Sequence, residues 1–184
     1  MGIESHYLQS LLFLVLFTKN PGIIYQESWY TTTRIPDKYL VGISETGYNN
    51  DELTMKWLVE FEHCSAPRLP RSYRLLLLDG FGSHCTKQFL DLCDLHKIIV
   101  FCLPAQSRYL LQPLDVVVFQ PYKLCHAEAV EAATCTGCRD FDKAEFLDTI
   151  DTICQQNFKS STIQSAFRAT GLIPYNPDIV ISKL

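Results

Sequence analysis

The sequence predicts an α/β fold, and a strand–helix–strand segment near its centre is the main reason. Residues 75–78 form a short apolar run that ends at Asp79, as expected of a buried strand. Thr86 can cap a following helix, and residues 98–103 predict a second strand that Pro104 ends. A connection of this length normally joins two parallel strands through a right-handed crossover. It places Asp79 at the carboxyl end of its strand, where open α/β sheets carry their sites.

Length and composition limit the class of protein. The chain has 184 residues, of which 47% are hydrophobic and 20% charged, so we expect one domain over residues 1–184. A net charge of −4 argues against a strongly basic surface for nucleic acid. Collagen-like, coiled-coil and disordered classes are excluded, because glycine and proline are neither abundant nor periodic and the apolar content is ordinary.

The first part of the chain predicts a strand over residues 11–17, with a possible continuation over residues 23–25. The first run is far shorter than the roughly 20 residues that span a bilayer, so no membrane association is expected. Residues 1–10 contain Glu4 and no Lys or Arg, which argues against a secretory signal. We therefore expect an intracellular protein whose eight cysteines are reduced thiols.

Helices are expected before and after the central segment in the sequence. Asp51 can cap a helix whose apolar positions follow the 3.6-residue period, and Pro113 can occupy the first turn of another. Pro121 is expected to kink or end that second helix. Two C-terminal helices have start signals in the pairs Asp142/Glu145 and Ser161/Gln164. Gly171 and Pro174 are the stop signals of the second of these helices.

Asp79 and Asp115 are the first candidates for chemistry. Asp79 ends a predicted strand, and Asp115 lies in the first turn of a helix that follows the next strand. If the fold brings them together, their carboxylates suit Mg²⁺, which can activate water for attack on a phosphodiester. The residues alone leave two alternatives open, since an Asp-Gly pair after a strand is often a turn and an Asp in a first helical turn is often a cap.

Two motifs carry a resemblance to a known family. Residues 75–84 (LLLLDGFGSH) and 110–116 (LLQPLDV) are similar to the DDE superfamily endonuclease domain of pogo-like transposases. Residues 25–30, 44–48 and 167–177 also resemble this family, most closely its fungal members. The resemblance covers most of the chain in order.

The resemblance implies an RNase H-like mixed sheet flanked by helices, with three acids that bind two divalent metals for DNA cleavage. Asp79 matches the second acid and Asp115 the third. Glu4 is the sole carboxylate near the place of the first, so we expect the first strand and the helix-turn-helix region of the family to be missing. Mg²⁺ or Mn²⁺, a DNA partner and a nuclear location are implied in the same way.

Departures from the family pattern lie near the matched acids. Gln106 and Tyr109 stand where the family usually has histidines, and Phe81 and Val117 replace residues that are usually smaller or polar. We therefore expect a remnant or domesticated catalytic domain with DNA-binding capacity and little nuclease activity. An active Mg²⁺-dependent endonuclease and a non-enzymatic interaction module remain the alternatives.

Other motifs are weaker. Ser83, His84 and Gln112 are expected to contact phosphate or to support the acids. The spacing of Cys135 and Cys138 is that of a zinc knuckle, but no second pair exists, so no zinc is expected. The following basic residues could meet DNA phosphate or be solvated: Arg68, Arg71, Arg74, Lys87 and Lys97.

Overall fold

The computed structural model describes residues 14–18, 33, 36, 39–44, 49–68, 73–79, 86–135, 137 and 141–184. Within this part, the strands are β1 (Leu14–Thr18), β2 (Leu40–Ser44), β3 (Arg74–Leu78) and β4 (Ile98–Cys102). The helices are α1 (Asp51–Ser65), α2 (Lys87–Leu95), α3 (Arg108–Leu111), α4 (Phe119–Cys135), α5 (Lys143–Asn157), α6 (Ser160–Ala169) and α7 (Asp178–Ile181). A 3₁₀ turn (Ala66–Arg68) follows α1, and a π-helical segment (Leu114–Val118) precedes α4.

The described residues fall into two compact units. The first holds β1 to α3, and the second holds Thr33, Pro36 and the described residues from Pro113 to Leu184. The structure therefore describes an α/β fold whose strands lie in the first unit and whose second unit is helical.

The strands of the first unit form two parallel pairs. β1 pairs with β2 from Leu14 opposite Leu40 to Thr18 opposite Ser44. β3 pairs with β4 from Arg74 opposite Ile98 to Leu78 opposite Cys102. The expected strand–helix–strand segment is confirmed, and the first predicted strand is confirmed over residues 14–17. Residues 11–13 and 23–25 lie outside the described part of the chain.

The β3–β4 pair has one apolar face packed on helices. Leu58 from α1, Phe89 and Cys93 from α2, and Ile98 from β4 form a buried cluster. Leu76, Leu78 and Val100 pack against it from the same face of the strands. On the opposite face Leu75, Ile99 and Phe101 are exposed, because successive side chains of a strand alternate between faces. The expected mixed sheet with helices on both sides of β3 is not seen among these residues, in which both pairs are parallel.

Helix α1 begins one residue earlier than expected. The Asn50 side chain accepts a hydrogen bond from the Leu53 amide at 2.9 Å, so Asn50 is the cap and Asp51 is the first helical residue. Thr86 caps α2 as predicted, since its hydroxyl accepts from the Phe89 amide at 3.3 Å.

The second unit is built around the π-helical segment. This segment packs on α4 and α6, and α4 packs on α5. The buried apolar side chains of the second unit include Val118, Leu147, Ile150, Ile153, Cys154, Ile163 and Ala166.

The prediction that Pro121 kinks or ends the helix is wrong, because α4 runs from Phe119 to Cys135. The Phe119 amide bonds to the Leu114 carbonyl, a wide turn of the π type. Pro121 follows that turn as the third residue of α4, inside a helical stretch already continuous from the π-helical segment, and the wider hydrogen-bond spacing just before it accommodates a residue that has no amide hydrogen.

The two C-terminal start signals had different outcomes. Asp142 and Glu145 form the predicted capping box, with the Asp142 amide donating to Glu145 Oε2 at 3.1 Å. The Ser161 prediction is wrong, since α6 begins at Ser160 after Lys159, whose side chain makes no capping bond. Gly171 ends α6 with φ +66°, and an added Cβ would meet the Asn176 carbonyl oxygen.

The capping box gives α5 a pH dependence. Hydrogen bonding with the Glu145 side chain and with the Ala144 and Glu145 amides lowers the pKa of Asp142 from its ordinary 3.8. Because the folded pKa is depressed, this contribution is present above the unfolded value and is lost as pH falls through the folded one.

We expect Asp142→Ala to cost about 1 kcal/mol of unfolding free energy at neutral pH and less at acidic pH. Asp142→Asn keeps an acceptor that does not titrate, so it should retain most of the stability at both pH values. Urea denaturation of the three proteins at neutral pH and at about pH 3 checks this. An equal loss for Asp142→Ala at both pH values would contradict the capping role.

Candidate functional site

Asp79 follows β3 at the carboxyl end of the parallel pair. The Leu103 amide donates to the Leu78 carbonyl at 2.7 Å, so the two strands stay joined up to the residue before the acid. The side chain of Asp79 is 26% exposed, which leaves its carboxylate accessible from solvent. This is the position that the sequence predicted for the acid, and it is the usual place for a site in an open α/β sheet.

Arg108 is the charged partner of Asp79. Its Nη1 lies 3.6 Å from Asp79 Oδ2, and 62% of the Arg108 side chain is exposed. α3, which Arg108 begins, is set by the preceding turn, where Ser107 accepts amide bonds from Leu110 and Leu111. Sequence reasoning missed this pair, although the position of Arg108 just after the neighbouring strand is the signal that could have found it.

Gln112 ends the first unit with an unusual oxygen. Its backbone amide donates to the Arg108 carbonyl at 3.0 Å. Its side-chain Oε1 is buried and accepts no hydrogen bond within the described part of the chain. Buried acceptors are nearly always satisfied, so this oxygen is available to a donor or a cation. The predicted supporting role of Gln112 is compatible with this placement.

Asp115 lies in the second unit, in the π-helical segment, where it is half-buried. Segments of π-helix are rare and are often found at functional sites. Asp79 and Asp115 are each described within their own unit, and their convergence on one cation stays a prediction.

The donors present fit a hard cation. Carboxylate and amide oxygens are the ligands that Mg²⁺ takes, and Mg²⁺ keeps several waters when one or two carboxylates hold it. Asp79 and Asp115 supply such carboxylates. Ser83 and His84, expected as supporting residues, lie outside the described residues, as does Glu4.

Arg74 is not a contact for DNA. Its side chain is 6% exposed, its Nη2 lies 2.5 Å from Glu62 Oε2, and its Nη1 donates to Ser65 Oγ at 2.7 Å. The hypothesis that Arg74 meets phosphate is therefore wrong, because its charge is used inside the unit. Lys87 and Lys97 are exposed, as a phosphate contact would require. Arg71 and the side chain of Arg68 lie outside the described part.

The cysteine pair gives no described cluster. Cys135 is exposed at the end of α4, and Gly137 follows with φ +93°. Cys138 lies outside the described residues, so the structure does not test the expectation about zinc at this motif.

Comparison with known proteins identifies the family. The model of the DDE superfamily endonuclease matches residues 14–167. The chain therefore belongs to the DDE superfamily endonucleases.

One curated relative is named MFS-type transporter clz9, from Cochliobolus lunatus. The two are 35% identical over 157 residues, which is 85% of this chain and 17% of the relative. The chain thus spans less than a fifth of that protein. Among the described residues, no helix is long and apolar enough to cross a membrane. No solved structure matches the chain.

Proposed function

We propose that this chain is the catalytic domain of a pogo-like, fungal-type transposase that retains some DNA binding and has lost nuclease activity. The observation that carries the proposal is the position of Asp79 at the carboxyl end of β3, inside the region that matches the endonuclease family. The proposal includes an RNase H-like fold and a nuclear location, where the DNA substrate is found.

Asp79 and Asp115 are the proposed metal ligands. They would hold one Mg²⁺ or Mn²⁺, with water in the remaining positions. When bound, such an ion lowers the pKa of a coordinated water and stabilises charge on a phosphate oxygen. Gln112, with its free buried oxygen, is proposed to orient that water or a phosphate hydrogen bond. Ser83 and His84 are proposed to contact phosphate or support the acids, because they belong to the matching motif over residues 75–84.

Loss of nuclease activity is supported by departures from the family pattern near the acids and by Arg108. Gln106 and Tyr109 stand where the family usually has histidines, in the loop before Asp115. Arg108 places a guanidinium 3.6 Å from Asp79, one of the two matched acids. A fixed positive charge there competes with a cation for the same carboxylate.

DNA binding is proposed to be weak and dependent on salt. The net charge is −4, Arg74 is buried against Glu62, and Arg108 faces Asp79. Exposed lysines such as Lys87 and Lys97 remain to contact phosphate. Few contacts of this kind give a low affinity, and the slope of its salt dependence is set by the small number of phosphates that are neutralised.

A nicking assay tests the proposed loss of activity. Supercoiled plasmid incubated with the chain and Mg²⁺ or Mn²⁺ is expected to stay intact, as it does with Asp79→Ala and Asp115→Ala variants. Fluorescence anisotropy with a labelled duplex should still detect salt-sensitive binding by all three proteins. Nicking by the unaltered chain that both substitutions abolish would instead establish the active endonuclease, with a third ligand supplied from elsewhere.

A further inference from the structure

A cluster of three different metal-binding side chains lies on α1, away from the matched acids in the sequence. Glu60, His63 and Cys64 occupy positions i, i+3 and i+4, which share one face of a helix. One ligand atom from each lies within 4.8 Å of the other two. This carboxylate, imidazole and thiol therefore converge without a change in the backbone.

The surroundings leave the cluster open to solvent. His63 is exposed, while Glu60 and Cys64 are half-buried at the border of the packed face. The intervening Glu62 points to the other side of the helix, where it meets Arg74. Among the described residues, no hydrogen bond or ion pair is made by the three ligand side chains. An ion can approach without displacing the core.

We propose that Glu60, His63 and Cys64 form a Zn²⁺ site with water as the fourth ligand. Thiolate, imidazole and carboxylate are the three ligand types that Zn²⁺ takes, and Mg²⁺ does not favour sulfur. Zinc ligands bind at about 2.0–2.3 Å, so atoms around one ion lie about 3.5 Å apart. Small side-chain rotations bring the cluster from its present spacing to that geometry.

The buried Cys93 on α2 gives a contrast with Cys64. Burial raises the pKa of the Cys93 thiol to about 11, which makes it a poorer metal ligand. Cys64 is half-buried beside a histidine and a glutamate, a setting in which zinc can displace the thiol proton to solvent. The ion would then balance the thiolate and carboxylate charges.

Zinc at this position would stabilise the end of α1. The ligands belong to its last two turns, just before the 3₁₀ turn Ala66–Arg68. Ligands on successive turns of one helix hold those turns together, and an ion that binds only the folded chain raises the stability. The expected effect of zinc is thus on the stability of α1, and the ligands are different residues from Asp79 and Asp115.

Cobalt spectroscopy tests the donor set. Co²⁺ added to the reduced, metal-free chain is expected to give the near-ultraviolet absorption of a thiolate–cobalt bond. Cys64→Ser should abolish this absorption, and Cys102→Ser, a change of an exposed cysteine on β4, should leave it intact. Absorption that survives in Cys64→Ser and disappears in Cys135→Ser would overturn the proposal and assign the metal to the cysteine pair.

Zinc competition and alkylation complete the test. His63→Ala changes an exposed residue, so it should fold normally and weaken Zn²⁺ binding by at least about tenfold. Glu60→Gln should weaken it as well. Zn²⁺ should slow alkylation of Cys64 by iodoacetamide in the unaltered chain and not in His63→Ala. Equal zinc affinity of the unaltered chain and His63→Ala, or no protection of Cys64, would contradict the proposal.

Discussion

Replacing Phe89 with alanine is expected to lower the free energy of unfolding of the first unit by about 3–5 kcal/mol. Phe89 is 0% exposed and lies at the centre of the cluster formed with Leu58, Cys93 and Ile98. Alanine removes the ring and leaves a cavity that the surrounding side chains fill only in part. Urea denaturation followed by circular dichroism and tryptophan fluorescence measures the loss.

Leu90 provides the matched control for this change. It is the next residue on the same helix, and 42% of it is exposed. Leu90→Ala removes a large apolar side chain without opening a core cavity, so its cost should be about 1 kcal/mol or less. Similar losses for Phe89→Ala and Leu90→Ala would show that α2 does not pack on the strands as described.

Arg74→Leu is expected to cost about 3 kcal/mol, because it leaves a partly buried carboxylate without its charge partner. Glu62 is 21% exposed, its Oε2 forms an ion pair with Arg74 Nη2 at 2.5 Å, and the same nitrogen donates to the His96 carbonyl at 2.5 Å. His96 Nδ1 lies 3.2 Å from the other Glu62 oxygen. The remaining exposure and this histidine limit the expected loss to the lower end of the range for broken buried pairs.

Two further variants separate the charge from the packing of Arg74. The double change Glu62→Leu with Arg74→Leu removes both charges and should recover much of the lost stability, because no buried charge is left alone. Lys56→Ala breaks the exposed ion pair with Glu52 and should have little measurable effect. A loss below about 1 kcal/mol for Arg74→Leu would contradict the buried role of the pair.

The sequence was informative where a local pattern has one solution. The apolar residues 75–78 and 98–103 have no charge that could face solvent, so they predicted paired strands that the structure confirms. Thr86 and Asp142 were each followed by a matching helical pattern and serve as caps. The position of Asp79 then followed from the strand that precedes it.

Other predictions failed where neighbouring residues offer similar chemistry. Asn50 and Asp51 can both cap a helix, and the backbone conformation, which the sequence does not display, selects Asn50. Pro121 was expected to kink or end a helix, but α4 continues through it directly after a π turn. Propensity rules do not anticipate such a turn.

The charged residues of the site were the hardest to assign. Arg74 begins a strand near a proline-containing loop. Its sequence position does not reveal that its side chain is buried and forms an ion pair with Glu62 on another element. Arg108 is paired with Asp79 across two chain segments. Glu60, His63 and Cys64 were missed because the search for zinc ligands followed the Cys-x-x-Cys spacing at Cys135.

Mn²⁺ binding tests the central claim, that Asp79 and Asp115 share one divalent cation. In a titration followed by the electron paramagnetic resonance signal of free Mn²⁺, the chain should show a weak site that either Asp79→Asn or Asp115→Asn abolishes. The double variant should be no worse than either. Arg108→Ala should tighten binding by about 1.4- to 5-fold, the equivalent of about 0.2–1 kcal/mol of removed competition. Mn²⁺ binding that survives either single change, or losses that simply add, would contradict a shared site.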